Sequence, residues 1–338
     1  MGRALVQALR EAGWDVHALT RAGQRSELKT LGATLFEGSP ADPNQVAEAA
    51  EDCDVLFHAA GVTHPRAPER VLRWVHVAGT ENVLNAARHV GVERIVFVSC
   101  WSSSLTDGDR MHWDEQRALP KPPLGAHARS KLMAEELALA QSDEQMSVVA
   151  LRPAQLWGPG DANGLATLWR EAEAGGMRTF GGGRNLMPTT HVNNLTRAAL
   201  LAADAPDAAG QAYYVTDGEF MELREWYGRL GDTLGLGKPR DAGSYRAAMW
   251  AARLRQLRGS RSDLWPAEVV ERGRSALFDI SRATRDLDYR PEHDVDRELG
   301  ALRAWVDSQG GLAAVAGSAR PIPTEGDVDA QAEAAGGD

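Results

Sequence analysis

An α/β fold, a doubly wound parallel sheet with a smaller C-terminal lobe, is predicted from the order of apolar patterns along the chain. Three observations carry it: short strand-like apolar runs, helical periodicities between them, and a loss of that regularity after about Gly158. Leu5, Val6 and Leu9 recur at helical spacing after Gly2, and Gly13 stands where a helix C-cap belongs, so the chain opens on a helix. Strand-like runs follow at Val16 to Leu19, Thr34 to Phe36, Val55 to His58, Ile95 to Ser99 and Val148 to Leu151, separated by helical patterns. Strands alternating with helices of this length build βαβ units with right-handed crossovers.

Past Gly158 the pattern loosens. Glycine clusters stand at Gly175 to Gly176 and Gly181 to Gly183, then helices are expected from Asn194 to Ala203 and from Leu223 to Leu234. The division expected is a doubly wound core over 1–157 and a smaller lobe over 158–309, with some segments returning to the core. Residues 310–338 are rich in Ala, Gly, Pro, Asp and Glu, too poor in large apolar side chains to offset the entropy of ordering, and read as a disordered tail. Ser244 to Arg261 carries Met249, Trp250, Leu254 and Leu257 among arginines, which fits an ordinary lobe helix or a helix in weak peripheral contact with a membrane.

A chain of 338 residues can bury a sizeable core without staples. Its formal charge of −10 is spread along the sequence without a Lys/Arg stripe, which argues against a nucleic-acid partner. Two cysteines, Cys53 and Cys100, in strand-like apolar settings read as reduced thiols, which points to the cytoplasm and away from a metal site. No run is apolar for long enough to span a membrane.

Several ordered motifs share one likeness. His58, Ala59, Ala60 and Gly61 follow a strand, and Gly79, Thr80, Asn82 and Val83 open the next helix. Arg152, Pro153, Trp157, Gly158, Pro159, Gly160 and Asp161 end a strand where open α/β sheets place their crevice. His191, Val192 and Asn194, then Tyr213 to Asp217, then Phe278, Asp279, Ile280, Ser281, Ala283, Leu287, Tyr289 and Pro291 complete the set. Up to Trp305 the chain resembles the extended short-chain dehydrogenases, the NAD-dependent epimerase/dehydratase superfamily with its Rossmann sheet, and in particular the 3β-hydroxysteroid dehydrogenase-like branch.

The resemblance implies where chemistry belongs. Family members place a Tyr four residues before a Lys on one helix face, where the ammonium lowers the phenol's pKa and also holds the nicotinamide ribose. Here Lys131 is present, but His127 occupies the tyrosine position, and Trp101 falls where a serine would bind the reacting oxygen, with Ser102 and Ser103 beside it. A neutral imidazole beside an ammonium would have its pKa pushed below ~6.5 and could accept a proton at neutral pH. The candidate catalytic residues are therefore Lys131, His127 and Ser102, with Trp101 and Trp157 shaping a substrate pocket, Trp157 reading equally as core packing. His76, where the family usually has Asn, reads as a packing residue.

For the cofactor, the resemblance implies Gly2 as the last glycine of a phosphate-binding turn, Ala59, Ala60 and Gly61 against the ribose, and Lys131 and Pro153 near the nicotinamide. Arg21 at the end of a strand suits the 2′-phosphate of NADP, favoured over NAD, and Ser39 stands where an adenine-contacting Asp is usual. The family's first strand and glycine loop have no counterpart before Gly2, so the natural chain is expected to begin roughly a dozen residues upstream; sequencing the native N-terminus checks this. The activity implied is NAD(P)-dependent interconversion of a secondary alcohol and a ketone on a bulky small molecule, in a homodimer formed through helices near residues 78 to 90 and 127 to 141. Epimerase or dehydratase chemistry and a catalytically silent binding module remain as alternatives.

Overall fold

The computed structural model describes residues 1–21, 25–119, 121–258 and 264–335. Four parallel strands form the main sheet in the order β11 (Gln211–Val215), β6 (Ser147–Pro153), β4 (Arg94–Val98), β3 (Val55–His58). A second parallel ladder, β1 (His17–Thr20) with β2 (Thr34–Glu37), is not hydrogen-bonded to it among the described residues. Helices α1 (Gly2–Glu11) and α2 (Arg25–Thr30) flank β1, and α3 (Pro43–Ala50) links β2 to β3. The connection from β3 to β4 runs through α4 (Glu69–Arg73), a π-helical turn over Trp74–Ala78 and α5 (Gly79–His89), and that from β4 to β6 through β5 (Arg110–Trp113) and α6 (Ala126–Ala140).

Strand alternation shows how both faces of the sheet are covered. Val96 of β4 and Val149 and Leu151 of β6 point into a cluster with Leu5, Val6 and Leu9 of α1 and with Leu195, Ala198, Ala199 and Ala202 of α8 (Val192–Asp204). Ile95 and Phe97, with Val148 and Ala150, point the other way, onto Leu84 and Ala87 of α5 and Ala134 and Ala138 of α6. Successive residues of a strand face opposite sides, so this split is what a sheet wound with helices on both faces requires. Fully burying each such Val, Ile or Phe is worth about 1.5–3 kcal/mol.

Most of the remaining elements lie outside the main sheet and are called the lobe below. They are β7 (Gln155–Trp157), α7 (Ala162–Glu173), β8 (Arg178–Thr179), β9 (Leu186–Met187) and β10 (Thr189–His191), followed after β11 by β12 (Met221–Glu222), α9 (Leu223–Leu234) and β13 (Arg240–Asp241). Then come α10 (Tyr245–Leu257), α11 (Pro266–Gly273), β14 (Ala276–Phe278), α12 (Ser281–Leu287) and α13 (Val295–Ser308). β11 belongs to the core sheet, and α8 and α12 pack on it, although all three lie beyond residue 158 in sequence. Two further apolar clusters lie beyond the sheet faces, one around Trp157, Trp226 and α13, the other joining Trp101, Trp113 and Ala128 of α6 to Tyr214 of β11 and Phe278 of β14.

The tail departs from the expectation of disorder. Leu312 and Val315 of α14 (Leu312–Gly317) are buried in the cluster around α13, α14 lies against α7, and Val328 of α15 (Glu325–Ala335) is buried. A few aliphatic side chains at helical spacing supply the contacts that composition averaged over the segment conceals. The final residues of that tail, 336–338, and positions 259–261 at the end of the Ser244 to Arg261 segment lie outside the described residues. What is described there, α10, leaves Trp250 and Leu257 exposed. No helix among the described residues is long and apolar enough to cross a membrane.

Candidate functional site

His127, Lys131 and Glu135 recur every four residues on α6 and so share one face of it. Lys131 is buried, its Nζ donating to the Val98 carbonyl at the end of β4 (3.1 Å) and lying 5.5 Å from the centre of the Phe97 ring. One turn on, Glu135 takes a bidentate pair from Arg152 (Nε to Oε2 2.9 Å, Nη2 to Oε1 2.5 Å) and the Ser99 hydroxyl (2.5 Å). The ends of β4 and β6 are thereby tied to the helix that carries Lys131. Arg152, read in the sequence as part of a signature, thus has a visible structural task, and its guanidinium also stacks 5.2 Å over Tyr214. Pro153 follows it, buried in β6 and level with Val215 of β11.

The loop after β3 closes the other side. A Cβ on Gly61 would stand 3.5 Å from Lys131 Nζ and 3.5 Å from His76 Nε2, so a side chain there would fill the space that the ammonium faces. Val62 is held at both backbone atoms: its N–H donates to His76 Nε2 (3.0 Å), and its carbonyl lies 3.2 Å from His127 Nε2. His76 Nε2 also stands 3.2 Å from the Val62 carbonyl; with the Val62 N–H donating to it at 3.0 Å, the ring proton is assigned to Nδ1, which reaches Ser130 Oγ (2.9 Å), and Ser130 in turn donates to the His127 carbonyl (3.0 Å). His127 must then carry its proton on Nε2, leaving the lone pair on Nδ1. The two imidazoles meet edge to face at 5.3 Å.

These rings are held neutral. Burial first, and then the Lys131 ammonium, pushes His127 down to about 4, and the same causes, with His127 added, push His76 to about 2. His58, buried at the end of β3 with Nε2 3.0 Å from Thr80 Oγ1, is pushed to about 3. Lys131 is itself lowered by burial, partly offset by its interactions with Cys100 and Glu135. His76 has all its polar atoms satisfied, as a packing residue should, yet it also seats the Gly61 loop. It projects from the π-helical turn, a local widening that the sequence does not signal.

Other expected site residues stand apart from this cluster. Ser102 is buried in a one-turn 3₁₀ helix after β4, its hydroxyl turned to Cys100 Sγ (3.2 Å), and makes no hydrogen bond to His127 or Lys131. Trp101 is packed into the lobe, under Arg110 (4.7 Å) and against Phe278 (6.0 Å). Trp157 is likewise core, its Nε1 donating to Asp217 (2.8 Å) and its ring against Trp226, so neither indole lines an open pocket. Gly158, with φ at 126°, lies against His191, where a Cβ would come within 2.8 Å of Nε2 and only glycine fits.

Along the dinucleotide direction, Gly2 opens α1, with open space where its Cβ would be. Arg21 is exposed just past β1, and Arg320 from the tail is near enough to repel it. Ser39 caps its own turn, its Oγ accepting from Ala41 N (3.2 Å). Ala59 is half-buried, while Ala60 and Gly61 are exposed along the loop that leads to Lys131.

A parallel sheet wound on both faces, with a buried lysine at a strand end and a close glycine loop opposite it, defines a dinucleotide-type α/β protein. The family model described as "NAD dependent epimerase/dehydratase family" matches residues 1–216, and the chain belongs to that family. It is 33% identical over 317 residues to a 4-hydroxy-2-methyl-3-oxo-4-farnesyl-3,4-dihydroquinoline-1-oxide ketoreductase of Stigmatella aurantiaca, covering 90% of this chain and 92% of that one. A 2-alkyl-3-oxoalkanoate reductase of Stenotrophomonas maltophilia is 30% identical (90% and 96% covered), and a 3-beta-hydroxysteroid dehydrogenase of Mycolicibacterium neoaurum 28% (86% and 84%). Among solved structures, UDP-glucose 4-epimerase of Thermotoga maritima superposes with a TM-score of 0.71 at 16% identity, covering 91% of this chain and 96% of that one. A protein crystallised with UDP-glucuronic acid and NAD gives 0.69 at 24% (90% and 95%). These structures share the fold.

Proposed function

We propose that the protein is an NAD(P)-dependent oxidoreductase that interconverts a secondary alcohol and a ketone on a bulky small molecule. The observation that carries this is the Lys131 ammonium, buried at the end of β4 and facing the bare backbone of Gly61. Relatives at about this identity along almost the whole chain are named as ketoreductases, reductases and a hydroxysteroid dehydrogenase, which supports the reaction class. The residues fit a dinucleotide: Gly61 leaves a cradle that a side chain would fill, with Ala59 and Ala60 beside it, and Lys131 brings donors to it. When bound, the nicotinamide supplies or accepts the hydride.

In the chain itself, Lys131 orients the ribose and supplies positive potential next to the reacting oxygen. His127, neutral at physiological pH and with Nε2 engaged by the Val62 carbonyl, offers Nδ1 as acceptor for the hydroxyl proton of an alcohol. Ser102 would have to turn away from Cys100 to bind that oxygen. Arg21, exposed at the end of β1 together with Arg320, favours NADP over NAD, while Gly2, Ser39 and Pro153 line the rest of the cofactor path. The same reading has the protein act in the cytoplasm as a homodimer through α5 and α6. The burial of Trp101 where an oxygen-binding serine is usual favours the second reading, a catalytically silent binding module.

Fluorescence titration of the protein with NADPH and NADH separates the two. The oxidoreductase reading expects binding, NADPH tighter, reduction of bulky ketones, and at least a tenfold loss of affinity in Lys131→Met. Cofactor binding without turnover of any ketone would favour the silent module, and a folded protein that binds neither dinucleotide would end the redox reading.

A further inference from the structure

The chain beyond α14 crosses from one half of the molecule to the other. Residues 318–324 are irregular between α14 and α15 and carry Pro321 and Pro323, which disfavour helical backbone at Arg320 and Ile322 before them and make the segment a stiff strap. Its ends rest on different halves, α14 against α7 of the lobe and α15 beside α4, which follows β3 of the core. Midway it is pinned: Arg320 N donates to Asn163 Oδ1 (2.9 Å), and Asn163 Nδ2 donates to Thr63 Oγ1 (3.0 Å). Thr63 is two residues beyond Gly61, whose bare backbone faces Lys131, so the strap crosses the loop that leads to the buried ammonium.

Arg320 brings to this crossing a charge that the fold does not answer. Other exposed arginines find a carboxylate, Arg70 on Asp329, Arg129 on Glu69 and Arg303 on Asp307. The guanidinium of Arg320 makes no hydrogen bond or ion pair among the described residues, and neither does that of Arg21 at the end of β1. These two arginines lie near one another instead. The surrounding protein first, and Arg21 second, hold the Arg320 guanidinium below its ordinary value, and no carboxylate opposes them. Two exposed guanidinium forks brought together with no acid between them suit a phosphate, whose oxygens each fork can take in pairs. They also stand beyond the ends of parallel strands, where an α/β sheet leaves its crevice.

We propose that residues 318–324 form a strap over the cofactor and that Arg320 closes with Arg21 on the 2′-phosphate of NADP(H), latching a dinucleotide that carries this phosphate and leaving NAD(H) unlatched. The inference rests on the oxidoreductase reading for the presence of a dinucleotide, and adds to it a moving part. The strap lifts from Asn163, the dinucleotide enters along the loop from Ala59 to Thr63, and the strap returns. Both ends hold meanwhile, because Leu312 and Val315 of α14 and Val328 of α15 are buried. Arg21, on the core, contributes affinity. Arg320, on a segment that must move before the cofactor can leave, acts chiefly on the rate of release.

The test is stopped-flow fluorescence of NADPH and NADH binding to the full chain, Arg320→Ala, Arg320→Lys and Asn163→Ala. The wild type is expected to release NADPH at least tenfold more slowly than NADH. Arg320→Ala should speed NADPH release at least tenfold and leave NADH release within twofold, with Arg320→Lys between, since it keeps the charge but not the fork. Asn163→Ala, which unpins the strap, should let both dinucleotides enter faster. The melting temperature of Arg320→Ala should match the wild type, because the side chain is exposed and unpaired, so lost folding does not imitate the result. Unchanged NADPH release in Arg320→Ala, equal acceleration of both dinucleotides, or entry rates unaffected by Asn163→Ala overturns the strap. A wild type that binds NADPH with any of these outcomes loses the strap alone, whereas a folded wild type that binds neither dinucleotide loses the oxidoreductase reading and the strap with it.

Discussion

Three neutral histidines surround one ammonium. Folded values of about 3, 2 and 4 for His58, His76 and His127 all lie below the ~6.5 of an unfolded chain. Below that pH the unfolded chain takes up protons that the fold excludes. The stabilisation is therefore complete above about pH 6.5 and is lost as pH falls toward 4, at about 1.4 kcal/mol per pH unit for each histidine. Urea unfolding at pH 7.5, 6 and 5 should show it, and His76→Asn should lessen the slope by about one proton. Identical slopes in the two proteins would show that His76 is not excluding a proton. At neutral pH the same substitution tests how far His76 seats the Gly61 loop, read as a change in NADPH affinity.

The α6 helix gathers the site because one of its faces carries His127, Lys131 and Glu135 in register. Glu135 joins the helix to Arg152 of β6 and to Ser99 after β4, so its loss strands a buried guanidinium. Glu135→Ala is expected to cost about 3–5 kcal/mol in chemical denaturation, whereas Glu135→Leu with Arg152→Met should recover most of it. Cofactor affinity should fall in the single variant beyond what unfolding explains, since the strand ends that hold Lys131 are then free to shift. A single variant as stable as wild type would mean that α6 is fixed by its Ala134 and Ala138 packing alone.

Across the whole molecule, the C-terminal segment links the two halves. From α14 against α7 it passes Asn163, whose Oδ1 accepts from Arg320 N (2.9 Å) and whose Nδ2 donates to Thr63 Oγ1 (3.0 Å), and ends on α15 beside α4, with Asp329 on Arg70. Ending the chain at Gly311 should uncover the Leu165 side of the lobe core and lower stability by about 3 kcal/mol or more, from the loss of Leu312, Val315 and Val328 burial. A shortened chain with an unchanged urea midpoint would show that the tail rests on the surface without supporting it.

Much of the architecture was legible in the sequence because it depends on local periodicity. The continuous apolar runs Ile95 to Val98 and Val148 to Leu151 mark strands buried on both faces, and helical spacing in Leu5, Val6 and Leu9 marks one helix face, without reference to the rest of the chain. Lys131 and His127 were legible as a pair because four residues on a helix is a fixed geometry. What the sequence could not show was long-range. That His76 would share Val62 with His127, that Ser102 would turn to Cys100 while Trp101 sank beneath Arg110, and that a tail poor in large apolar residues would find three buried positions all depend on contacts across tens to hundreds of residues. The sequence by itself determined the α/β winding, the family likeness and the lysine helix. Only the tertiary structure decided which buried polar groups found partners, because hydrogen-bond satisfaction is a property of the partners that folding brings together and of no residue alone.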